Sequence, residues 1–65
     1  MNFSKNLKNL RENANLNQKE LAVLLNVKTD TVSKWEQNKN IKTFELLEQL
    51  TKIFNCTYDD LLEDK

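Results

Sequence analysis

The chain has no glycine, no proline, no histidine and a single cysteine. Each shortage removes a class of chemistry. Without glycine there is no glycine-rich loop through which a phosphate could approach the backbone. With glycine and proline both absent, no flexible linker is expected. Without histidine, metal binding and proton transfer near neutral pH lose their commonest residue. Cys56 has no second cysteine to pair with, and no signal-peptide pattern opens the sequence, so a reducing, cytoplasmic setting is expected. No apolar run approaches the roughly 20 residues of a membrane span.

What is present is charge, leucine and asparagine. Ten Lys and Arg balance ten Asp and Glu, for a net charge of zero. The balance is uneven along the chain. Residues 1–40 carry seven basic and four acidic side chains, and residues 41–65 carry three and six. One end can therefore face a polyanion while the other is kept off it; a mixed surface divided by chance gives the same numbers. Asp59-Asp60 and Glu63-Asp64 are paired carboxylates, but no histidine, glycine-rich loop or ligand cluster accompanies them. They read as helix-start and solvated charges, so no enzymatic activity, cofactor or metal is expected. Cys56 reads as a small apolar filler, because no cation or base stands near it in sequence to activate a thiolate. Ten asparagines are left to do turn and capping work.

The 65 residues make one domain, 1–65, with a small core. Phe3, Leu7 and Leu10 form the stripe of a first helix over Ser4–Asn13, with Ser4 as its cap. Lys5, Lys8 and Asn9 face water. Arg11 sits near the helix end, where a cation is favoured. Asn13-Ala14-Asn15 is the stop, and Leu16 re-enters the core. Past residue 36, Gln37-Asn38-Lys39-Asn40 is a loop with Asn38 as its left-handed residue, and Ile41 anchors it. Thr43 caps a further helix bearing Phe44, Leu47, Leu50 and Phe54, widened by Leu46 and Ile53 and stopped by Asn55. Thr57 and Asp60 make a capping pair for a last helix with Tyr58, Leu61 and Leu62. Phe44, Phe54 and Tyr58 are expected in the core, or one of them at a contact with a second subunit. No stretch alternates with period two, so no sheet is expected.

The stretch 17–36 organises the rest. Asn17 and Glu20 have capping-box spacing. Leu21, Leu24 and Leu25 recur at helical intervals, and Ala22 is small enough for a second helix to cross closely. Asn26 suits a left-handed helix end, and Val27 is expected to plug the corner. The second helix puts Val32 and Trp35 on one face and turns Thr29, Asp30, Ser33 and Lys34 the other way. Two short helices with such a turn form a helix-turn-helix, a unit that lays its second helix in the DNA major groove.

Asn17-Gln18-x-Glu20-Leu21-Ala22, Leu25-Asn26-Val27 and Thr31-Val32-Ser33-Lys34-Trp35-Glu36 together resemble the Cro/CI-type (XRE-like) helix-turn-helix family of phage repressors and bacterial regulators. The likeness runs from about Leu7 to Leu62. Three departures stand out. Asparagine fills positions 15, 26, 38 and 55, where the family favours glycine; Lys28 stands where it uses Ser or Thr; and Lys42 stands where it often has Pro. The resemblance implies an all-α, five-helix, lambda-repressor-like domain that binds double-stranded DNA. It implies base-reading by Thr29, Asp30 and Lys34, with Ser33 on the same face. It also implies backbone contacts from Gln18 and from the loop residues Gln37, Lys39 and Asn40, with Lys28 just before the helix. An ion pair between Arg11 and Glu36 beside the DNA backbone is implied as well.

The side-chain chemistry agrees with this. Lysine can donate to guanine O6 and N7, aspartate can accept from cytosine N4, and the threonine methyl can meet thymine. The plainer reading of the same face is a solvated helix on which Asp30 and Lys34 pair with each other. The expected function is operator occupancy by a homodimeric transcriptional regulator, a repressor. The alternative is an antitoxin-like or immunity-type module of the same fold that binds a protein instead.

Overall fold

The computed structural model describes residues 3–39 and 44–62. Within them the elements run α1 (Phe3–Asn13), α2 (Gln18–Leu25), α3 (Thr29–Glu36), α4 (Phe44–Phe54) and α5 (Tyr58–Leu62), with no strand among the described residues. Asn40, Ile41, Lys42 and Thr43 lie outside the described residues, and with them the expected loop anchor and the expected cap of α4.

Four helices end in the same way. Asn15, Asn26, Asn38 and Asn55 all have positive φ, between 51° and 60°. At each, the next N–H donates to a carbonyl five residues back: Leu16 to Arg11, Val27 to Ala22, Lys39 to Lys34 and Cys56 to Thr51. This is the Schellman closure that glycine usually makes; asparagine, whose short polar side chain tolerates the left-handed region, replaces it throughout. The starts are capped by side chains where the sequence provides them. Asn17 Oδ1 accepts from the Glu20 N–H while the Glu20 carboxylate accepts from the Asn17 N–H. Thr57 and Asp60 repeat that reciprocal pattern at α5. Ser4 does not act as a cap, because α1 already includes Phe3.

One cluster holds the fold together, with residues from every helix: Phe3, Leu7, Leu21, Ala22, Leu25, Val32, Trp35, Leu46, Leu50 and Leu61. α2 packs on α3, α1 on α3 and α5, and α4 on α5. Leu10, Leu16, Leu47, Ile53, Phe54, Cys56 and Leu62 are partly buried against that cluster.

Several apolar residues do not go where periodicity sends them. Leu24 is 56% exposed and Val23 71% exposed. An eight-residue helix can turn only one face inward, and Leu21, Ala22 and Leu25 take it. Val27 plugs its corner only in part, since it stays 36% exposed; its backbone N–H closes the turn. Phe44 is 69% exposed, since Leu46 and Leu50 form the inward line of α4. Its ring stacks on exposed Tyr58, centroids 5.8 Å apart. Neither of these two rings belongs to the core, whereas Leu61 is wholly buried in it. Asn6, which the sequence reading passes over, is also buried; its Nδ2 donates to the Leu61 carbonyl at 2.9 Å and so ties α1 to α5.

Candidate nucleic-acid interface

α3 is held from beneath by Val32 and Trp35, both buried. Fixing that face leaves the opposite one outside. Thr29, Asp30 and Lys34 are exposed, and Ser33 is half-buried. Lys34 Nζ lies 3.4 Å from Asp30 Oδ2, a pair one turn apart with both side chains largely in solvent. A pair this exposed contributes little to stability and can exchange for other partners. Ser33 Oγ accepts from Gln37 Nε2 at 2.9 Å, which ties the first loop residue to the helix.

The start of α3 is open. Lys28 holds the cap position with extended backbone, but its side chain makes no capping bond, and it is exposed. At the other end, the left-handed turn at Asn38 brings the Lys39 N–H onto the Lys34 carbonyl at 2.9 Å, so the exposed loop residues Gln37 and Lys39 fold back on the end of the helix. Asn40 falls outside the described residues.

Beside this face lies a buried polar junction of three helices. Arg11 Nε donates to Glu36 Oε2 at 2.6 Å and Nη2 donates to Oε1 at 3.2 Å, a two-point pairing of α1 with α3. The side chains are only 10% and 5% exposed, so this is an interior pair and not a surface one. Arg11 Nη1 donates to the Leu16 carbonyl at 2.7 Å. The hydrogen bonds to Glu36 raise the Arg11 guanidinium above its ordinary value, against a smaller opposing effect of burial. Gln18, the first residue of α2 and half-buried, joins the same carboxylate: its Nε2 donates to Glu36 Oε1 at 3.1 Å. The link between Gln18 and Glu36 has no periodic signal, since the partners lie 18 residues apart.

The arrangement is a rigid two-helix unit with a polar, mixed-charge ridge, flanked by two cations and by an amide at a helix N-terminus. That surface can donate to acceptors along a groove edge and to anions beside it. No group of His, Cys, Asp and Glu among the described residues could hold a metal, and no helix of the described residues is long and apolar enough to cross a membrane.

Comparison with known proteins places these features in context. A family profile described as Helix-turn-helix matches residues 7–61. The HTH-type transcriptional activator BcrR of Enterococcus faecalis is 40% identical over 62 residues, which cover 95% of this chain but 30% of that protein. The chain thus spans under a third of the curated relative it matches. No solved structure matches.

Proposed function

The chain belongs to the XRE-type helix-turn-helix family, and from that premise we propose that it regulates transcription in the cytoplasm by binding double-stranded DNA as a homodimer. The observation that carries this reading is the exposed ridge of Thr29, Asp30 and Lys34 on a helix whose other face is locked in the core. α3 enters the major groove. Lys34 donates to a guanine, Asp30 accepts from a neighbouring cytosine, and Thr29 and Ser33 complete the base-facing side. Gln18, Lys28, Gln37, Lys39 and Asn40 hold the phosphates, which fixes register and not sequence. Repression is the sign proposed, because a bound protein needs no further contact to exclude polymerase. The relative is named an activator, but most of its length lies beyond the part that matches this chain.

Mutants separate the two kinds of contact. Lys34→Ala loses roughly 1–3 kcal/mol on the preferred site and relaxes discrimination at one base pair. Lys39→Ala weakens every sequence alike and lowers the salt slope by about one unit. If Lys34→Ala leaves the ranking of DNA sequences unchanged, Asp30 and Lys34 are only a solvated pair and the base-reading role is lost.

A single domain makes few base contacts, so useful specificity calls for two half-sites. The exposed Phe44–Tyr58 stack, with half-buried Phe54 and Leu62 on the same two helices, supports a two-fold contact there. It would set the recognition helices about 34 Å apart, one DNA turn. Light scattering is expected to give a dimer mass on operator DNA, and a monomer mass both free and bound contradicts it. The exposed Val23 and Leu24 favour a second reading, an antitoxin-like or immunity-type module whose partner is a protein. Binding of that kind would lack the steep salt dependence of a phosphate contact.

A further inference from the structure

Glu36 is an acid close to the surface proposed to meet a polyanion, and it is not exposed. Its carboxylate accepts three hydrogen bonds, two from Arg11 and one from Gln18. The first two neutralise it. The third acts on a group whose position matters to DNA. Gln18 opens α2, and its flexible side chain would sample several rotamers if nothing held it. The bond to Glu36 Oε1 uses one hydrogen of the Gln18 amide and leaves the second hydrogen and the carbonyl oxygen for other partners. Arg11 is placed differently, since its Nε, Nη1 and Nη2 all have protein acceptors and it is buried.

We propose that Glu36 is the positioning residue for the DNA-backbone contact of Gln18. The carboxylate that ends the recognition helix clamps the amide that begins the scaffold helix, so the phosphate anchor and the base-reading Lys34 move as one body. This rests on the DNA-binding reading above and adds to it the means by which backbone contact and base contact share one register. Arg11 is then a counter-charge: it allows an acid to be buried here without repelling phosphate.

A double-mutant cycle on the whole chain tests it. Binding is followed by fluorescence anisotropy with a duplex selected from a random pool and with an unrelated duplex. Gln18→Ala is expected to weaken both by about tenfold, the scale of one hydrogen bond to a charged group. Glu36→Leu removes both acceptor oxygens and with them the bond from Gln18. That variant is expected to lose the same factor on both duplexes, and the two changes together no more than either alone. Should Glu36→Leu fold poorly, Arg11→Met with Glu36→Met replaces the buried pair by apolar groups, a change that folds often tolerate. It too is expected to bind about tenfold more weakly, with Gln18→Ala adding nothing further. Losses that multiply overturn the proposal, as does an Arg11→Met/Glu36→Met chain that binds like the unchanged one. If the unchanged chain binds no DNA, the proposal falls together with the reading beneath it; if it binds and the losses multiply, only the clamp falls.

Discussion

At each of the four positions among the described residues where the backbone turns left-handed, the side chain is asparagine. An alanine there would push its Cβ against the following carbonyl, at about 1–2 kcal/mol. Asn26→Ala is therefore expected to destabilise by about that much in urea unfolding, whereas Asn13→Ala, on the exposed side of α1, should stay within about 0.5 kcal/mol. Equal effects at the two positions would contradict a conformational role for Asn26. These turns were legible in the sequence because a left-handed residue is a local requirement, and few residue types meet it. The charged junction was less legible. The partners Arg11 and Glu36 follow from the family resemblance, but their burial and the share taken by Gln18 depend on how three helices converge, and no local pattern records that. Asn6 shows the opposite failure. It lies three residues after Phe3 and four before Leu10, on the apolar stripe itself, so its burial could have been read from spacing.

Among the elements, α2 and α3 start differently. α2 has a complete capping box, and α3 begins at Lys28 with no side-chain cap. Lys28→Ser would give the recognition helix the cap it lacks, and a gain of about 0.5–1 kcal/mol in stability is expected. The same change removes a cation proposed to meet a phosphate, so DNA affinity should fall on all sequences alike. Denaturant melts and DNA titrations of this one variant are thus expected to move in opposite directions; a variant that gains stability and binds DNA undiminished would remove Lys28 from the interface. Helix positions and types were readable from periodicity and caps. Which leucine of Leu21–Leu25 points inward was not. The run is nearly continuous, and only packing against α3 selects Leu21, Ala22 and Leu25 over Val23 and Leu24. Phe44 falls outside the core for a related reason: it is the first residue of α4, two positions from the buried Leu46, and so lies on the other side of the helix.

For the whole molecule, the all-helical five-element architecture and the family followed from the sequence, because one unbroken set of spacings ran through most of the chain. Net charge would have misled, since its zero sum hides an excess of basic residues over 1–40 and of acidic residues over 41–65. Binding of DNA by this chain of zero net charge, through a few placed cations and a base-reading ridge, is tested most directly by the affinity for a selected duplex and for a scrambled one, titrated across a fourfold range of salt. A log–log slope of about −2 for each chain bound is expected, one unit each from Lys28 and Lys39, with the preference for the selected duplex kept throughout. Affinity that does not change with salt, or that is equal for the two duplexes, would contradict it.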